Sequence, residues 1–287
     1  MTTAPASSPA PSTAAAPLAL VTGASSGIGR AFAERLAALG HDLIIVGRRR
    51  DRLDALAASL PDVAVQVIEA DLSTIEGITT VADVAASRPV SLLVNNAGVA
   101  HYMPLTDLPA EKALELLNVK VVAPTLLTRA AVTGMIARGA GTIVNVAGMI
   151  AFSGPAEAPA PQGGRSVYTG TLAHTVALSQ SLSAELAASG SGVTVHVVCP
   201  GVVATEFHTV QGMDLSALPR MSADDVVTAT LAGIDLGEVV IAPGVEDYAL
   251  LESVFTADVA AFHGQSPQLA SRYAAVVAAT TPAPLVE

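Results

Sequence analysis

The chain is poor in basic residues, cysteine and long apolar runs, and each shortage removes a class of function. Only 14 Lys and Arg oppose 25 Asp and Glu, a formal net charge of −11. Nucleic acid normally needs a basic surface, so it is excluded as the main partner. The single cysteine, Cys199, has no partner for an intrachain disulfide. It lies in the apolar run Val193 to Cys199 and reads as a buried, inert thiol. No run reaches the ~18 to 20 apolar residues of a membrane span. Residues 1–17 hold neither a Lys or Arg nor an apolar block, so they match no secretory or transit signal. A soluble protein of a reducing compartment, the cytoplasm, is expected.

What the chain does have is apolar bulk and glycine in the right places. Hydrophobic residues make up 51% of the 287, ample for the core of one large domain. Residues 1–17 are almost wholly Pro, Ala, Ser and Thr and read as a flexible tail. Residues 18–262 read as one domain and 263–287 as an Ala- and Pro-rich extension.

The domain opens on Leu18 to Val21, then Thr22-Gly23-Ala24-Ser25-Ser26-Gly27-Ile28-Gly29-Arg30, then a stretch with helical spacing from Ala31 to Leu39. That is strand, glycine turn, helix. The glycines permit a sharp turn and close approach of a ligand, and the helix N-terminus offers free N–H groups to a phosphate. A second strand, Leu43 to Val46, ends at Gly47 followed by Arg48, Arg49 and Arg50. An acid at this point would bind adenosine ribose hydroxyls, whereas an arginine accommodates a 2′-phosphate, so Arg48 favours NADP(H) over NAD(H). Arg49, Arg50 and Arg52 read as the solvated start of the next helix.

Further strands are expected at Val63 to Ile68, Val90 to Val94, Gly141 to Val146, Val193 to Cys199 and Val239 to Ile241, with helices between. The alternation implies right-handed βαβ units in a doubly wound parallel sheet, a Rossmann-like three-layer α/β/α domain. Ligands gather at the C-terminal ends of such strands. A single long helix is expected from Pro109 to about Arg138, and a mobile flap over Val202 to Met221. Ser153 to Gly164 reads as a long loop.

Thr22-Gly23-x-x-x-Gly27-x-Gly29 is followed by Asp71-Leu72, Asn95-Asn96-Ala97-Gly98, Asn118, Tyr168 and Pro200-Gly201. Together these resemble the classical short-chain dehydrogenase/reductase family over roughly residues 18–245. The resemblance implies that Gly23, Ser25, Ser26, Gly27, Ile28 and Gly29 cradle the cofactor pyrophosphate and that Asp71 and Leu72 flank the adenine. It places Asn95, Ala97 and Gly98 along the nucleotide cleft, Pro200 and Gly201 beside the nicotinamide, and Thr205 at the carboxamide. Tyr168 and Asn118 are the implied catalytic residues, and no metal is expected. Pairing of the helices around Leu114 to Leu127 and Val176 to Leu186 into a homodimer or homotetramer is also implied.

The catalytic set departs from the family. A lysine four residues after the tyrosine is Leu172 here, and Gly148 stands where a serine is usual. An unperturbed tyrosine titrates near ~10, and each unit a neighbouring cation lowers it corresponds to about 1.4 kcal/mol. With leucine instead, Tyr168 should stay neutral at pH 7. The chain has only two lysines, Lys112 and Lys120. On an α-helix Lys120 points away from Asn118, so it does not stand in for the missing cation. His101 reads as a loop histidine near the cleft mouth, His174 as an ordinary helix residue, and Ser153 as a hydroxyl able to curl back.

Three readings follow. One is an atypical NADP(H)-dependent oxidoreductase acting on a small-molecule iminium or conjugated, quinone-like acceptor. Another is a non-redox isomerase, cyclase or dehydratase using Tyr168. The third is a catalytically silent nucleotide-binding protein.

Overall fold

A computed structural model describes residues 15–154, 156, 164–273 and 276. It divides into two compact units between Gly244 and Val245. Most of the expected tail, the loop residues 157–163 and the last residues, 277–287, lie outside the described part.

The first unit is built on a seven-stranded parallel sheet in the order β3-β2-β1-β4-β5-β6-β7. The strands are β1 (Leu18–Thr22), β2 (Asp42–Gly47), β3 (Val65–Glu69), β4 (Val90–Asn95), β5 (Gly141–Val146), β6 (Val193–Val198) and β7 (Val240–Ile241). Continuous runs of Leu, Ile and Val suit strands covered on both faces. Alternate residues supply two cores: Leu18, Leu20, Ile44 and Val46 pack into one, and Ala19, Val21, Leu43 and Ile45 into the other.

The helices that cover these faces are α1 (Gly27–Ala38), α2 (Arg50–Ala58), α3 (Ile75–Ser87), α4 (Ala110–Leu117), α5 (Ala123–Arg138), α6 (Ser166–Ser189), α7 (Phe207–Val210) and α8 (Ala223–Leu236). The chain runs outward from β1 to β3, then returns to place β4 on the other side of β1. That reversal opens a crevice between β1 and β4 at their C-terminal ends. The Thr22 hydroxyl fixes its floor by accepting from the backbone N–H groups of Asn96 and Ala97, each at 3.0 Å.

The expected single helix from Pro109 to Arg138 is interrupted. Asn118–Val122 form a π-helical turn between α4 and α5. Such wide turns rotate the following residues relative to α-helical register and recur at functional sites. The whole stretch Ala110–Arg138 is the one described helix long and apolar enough to cross a bilayer. Leu116, Leu127 and Met135 lie fully in the core, whereas Leu114, Leu117 and Leu126 are exposed.

Between Val202 and Met221 the structure holds α7 and an isolated parallel bridge, Val203 with Met221. The first unit closes at Gly244, earlier than the expected Phe262. The second contains α9 (Ala249–His263), whose one buried residue is Leu251.

Candidate functional site

A cavity of about 580 Å³ lies along the C-terminal ends of β1, β2, β4, β5 and β6. Its wall contains Gly23, Ser25, Ser26, Gly27 and Ile28 from the first turn, Arg48 after β2, and Asp71 and Leu72 after β3. Ala97 and Gly98 follow β4, while Pro200, Gly201 and Thr205 follow β6; all belong to the same wall, as does Tyr168 on α6.

The first turn is shaped to accept an anion. Gly23 and Gly27 have φ of +68° and +55°, the left-handed region that glycine occupies without strain. Ser26 precedes α1 without capping it through its side chain, and the first turn carries no acid. The helix therefore presents uncapped N–H groups and an uncompensated positive end to the cavity. These residues fit the diphosphate of a dinucleotide.

Gly29 lies outside the wall. A Cβ there would collide with Asn96 Nδ2 and the Gly23 carbonyl, so this glycine serves the packing of α1 on the turn. Asn95 also lies outside. Its amide donates to Thr128 Oγ1 at 3.1 Å and to Asn145 Oδ1 at 2.9 Å, tying β4 to α5 and β5.

Arg49 is not a solvated helix residue. Its guanidinium donates to Ser25 Oγ and Ser26 Oγ, each at 2.9 Å, and pairs with Glu206. Arg52 reaches the same carboxylate at 2.8 Å. Burial alone would raise the Glu206 pKa, but hydrogen bonds from Arg52, Ser26 and Arg49 hold it down at about 2. Glu206 thus fastens the segment after β6 to the glycine turn. Arg48 remains 57% exposed and meets Glu115 only at 3.8 Å, so its guanidinium is available to a ligand. Arg50 pairs with Asp54 on the exposed face of α2.

At the other end, Tyr168 is buried, with the Tyr102 ring 5.1 Å away at 64°. Burial, then the neighbouring Tyr102 phenol, pushes the Tyr168 pKa well above the ordinary value. Burial also raises Tyr102. His208 stacks on Tyr102 at 6.4 Å and 24°, and burial followed by the Arg220 charge lowers its pKa. Leu172 and Gly148 stand together: a Cβ on Gly148 would be 3.6 Å from Leu172 Cδ1. The site therefore has room for a serine side chain that it does not carry.

Asn118 is not among the residues lining the cavity. Its amide donates to the Ser73 carbonyl at 2.7 Å, and Ser73 N in turn donates to Asp71 Oδ1 at 2.9 Å. Asn118 thus braces the turn carrying Asp71 and Leu72. Lys120, expected to point away from Asn118, lines the cavity and is only 6% exposed. Burial lowers its pKa to about 8. Lys120 and Asn118 thus point to different surroundings, as their two-residue spacing implies, and it is the lysine that faces the cavity. Ser153 does not curl back, since its hydroxyl donates to the Ile150 carbonyl at 2.8 Å. His101 is taken up by Glu115 at 2.9 Å, and His174 lies 3.4 Å from Thr125 Oγ1.

Residues 17–214 match the family model described as short chain dehydrogenase. The chain belongs to the short-chain dehydrogenase family. A short-chain dehydrogenase from Sphingobium yanoikuyae, solved with NADPH, is 36% identical, with a TM-score of 0.83 over 90% of this chain and 99% of that one. The bulky-bulky ketone specific alcohol dehydrogenase from Comamonas testosteroni is 30% identical, with a TM-score of 0.78 over 90% and 98% of the two chains. The human inactive hydroxysteroid dehydrogenase-like protein 1 is 32% identical over 65% of this chain and 56% of its own length. Family membership supports a nicotinamide cofactor and the coarse assignment of oxidoreductase. Within that family frame, Tyr102, Arg49, Glu206 and His208 are wall residues that motif reading missed, because loops and the short helix α7 fix them and no spacing announces them. Lys120 did carry a signal: it is a lone lysine in the apolar run from Val119 to Pro124.

Proposed function

We propose that this protein is an NADP(H)-dependent oxidoreductase that reduces an already electrophilic acceptor, an iminium ion or a conjugated, quinone-like system. The observation that carries this reading is a neutral, buried Tyr168 facing a nucleotide cavity in which Leu172 and Gly148 occupy the positions of a cation and a hydroxyl. A bound nicotinamide dinucleotide supplies the hydride. The turn Gly23–Ile28 binds its diphosphate, Asp71 and Leu72 flank the adenine, and Pro200, Gly201 and Thr205 border the nicotinamide end. Arg48, with its loose ion pair, supplies the donor for a 2′-phosphate. Tyr168 keeps its proton and orients the acceptor by donating a hydrogen bond. A ketone needs stronger polarisation than such a phenol gives, whereas an iminium carbon does not.

The buried Cys199 thiol, pushed up to about 12 by burial, fits a reducing cytoplasm. The face of α4, α5 and α6 remote from the sheet supports a homodimer or homotetramer.

Oxidation of NADPH followed by absorbance across ketones, imines and enones tests the reading, with NADH run in parallel. Turnover is expected with imines or enones and NADPH, with simple ketones much slower. No turnover with any class overturns it. The relative named inactive favours one competitor, a silent nucleotide-binding protein, for which NADPH would bind and never be oxidised.

A further inference from the structure

The cavity contains a charge that the family resemblance does not place there. Lys120 leaves the π-helical turn at Asn118–Val122 and its ammonium reaches Gly98, where an added Cβ would stand 2.7 Å from Nζ. Gly98 follows β4, the strand between β1, which carries the diphosphate turn, and β5, two residues beyond whose end lies Gly148. Lys120 is thus central in the cavity, between the dinucleotide cradle and Tyr168. Its turn is held in place by the Thr175 hydroxyl of α6, which lies 3.4 Å from the Lys120 carbonyl.

Lys120 is buried, with 6% of its surface exposed, and among the described residues no carboxylate lies within 4.0 Å of its ammonium. Beside it is a second, small void of about 10 Å³ bounded by Lys120, Asn95, Thr22 and Thr175. Asn95 Oδ1 is buried and accepts from no described group, leaving an unsatisfied acceptor in the wall of that void. A cation without a counter-ion inside a protein is an arrangement that packing alone disfavours. What satisfies it is an anionic or hydroxyl-rich ligand entering the cavity, with the Asn95 carbonyl behind.

We propose that Lys120 supplies from β4's side of the cavity the positive charge that the Leu172 position lacks, donating hydrogen bonds to the ribose hydroxyls at the nicotinamide end of the cofactor. The assignment rests on the nicotinamide-dependent reading above. The site's cation is then relocated from α6 to the π-helical turn. The other titratable groups on the cavity wall are Tyr168, Tyr102 and His208 at one end and Asp71, Arg48, Arg49 and Glu206 at the other. Burial lowers the ammonium toward the working pH range, at about 8, which makes its protonation sensitive to a bound anion.

With only two lysines in the chain, protein labelled with ¹³C at lysine Cε gives two resonances. Lys112, ion-paired with Glu115 on the exposed side of α4, is the internal reference. The expected result is a Lys120 signal with a midpoint near about 8 that shifts, and whose midpoint rises, when NADP⁺ is added. Lys120→Met should weaken NADP⁺ binding about tenfold or more, the range for hydrogen bonds from a charged donor. Lys120→Met/Leu172→Lys, which returns an ammonium from α6, should recover most of that loss. Saturable NADP⁺ binding by the unmodified protein with an unmoved Lys120 resonance overturns this assignment alone. Failure to bind NADP⁺ at all overturns the nicotinamide reading and this assignment with it.

Discussion

Holding an ammonium in an apolar wall without a counter-ion opposes folding, and at Lys120 the opposition has a defined pH range. A lysine that titrates at 10.5 in the unfolded chain and about 8 in the native protein keeps its proton less tightly when folded. The unfolded state binds more protons between those values, so stability rises with pH across that window. Below about 8 the full penalty is present; at about 1.4 kcal/mol per unit it is on the order of 3 kcal/mol. Lys120→Met, which keeps the chain length and removes the charge, should therefore stabilise the ligand-free protein at pH 7. Urea unfolding of the two proteins should show the gap narrowing between pH 8 and 10. An equal or larger gap at pH 10 would mean that packing, not charge, separates them. If confirmed, the residue is one that the fold would be better without, and a function is the remaining reason for its presence.

Among elements, the strand, turn and helix of residues 18–38 were the most legible, because backbone needs fix the residue types. Glycine at 27 is demanded twice: by φ of +55° and by Thr205, whose Cγ2 would lie 3.0 Å from an added Cβ. Gly40 offers the matching control, with φ of +82° and nothing within 4 Å of an added Cβ. Both Gly27→Ala and Gly40→Ala should lose about 1 to 2 kcal/mol for the left-handed backbone. Only Gly27→Ala should also weaken NADP⁺, because it alters the turn against the segment carrying Thr205. Thermal unfolding with and without nucleotide separates the two effects, and equal ligand-induced shifts would refute the distinction. The π-helical turn was not legible in the same way. Nothing in the run Asn118 to Ala123 says that one extra residue enters that turn, and the spacing that separates Lys120 from Asn118 does not say which of the two faces the cavity. Likewise Arg48 could be placed from its strand end, whereas the bonds of Arg49 depend on Glu206, which is 157 positions later and in an irregular segment.

For the whole molecule, the same helices that enclose the site expose a face with nothing of their own unit over it. Leu114, Leu117 and Leu126 are 58%, 41% and 37% exposed on α4 and α5. Alongside them, α6 shows Gly170, Ala177 and Ala184 to solvent, small residues that let another helix come close. We propose a second copy as the occupant of this face, and a stable pair needs about 800 Å² from each partner. The association would matter to the site, since α6 carries Tyr168 and the turn between α4 and α5 carries Lys120. Holding these two elements against a partner would limit their relative motion and keep the cavity's charge in place. Light scattering should therefore give a dimeric or tetrameric mass for the unmodified chain. Leu126→Glu, at the middle of the exposed face and away from the cavity wall, should shift it toward monomer. Its nucleotide affinity should fall while the helical content by circular dichroism stays unchanged. A monomeric mass for the unmodified protein would sink the proposed assembly. A mass unchanged by Leu126→Glu would move the interface to another face.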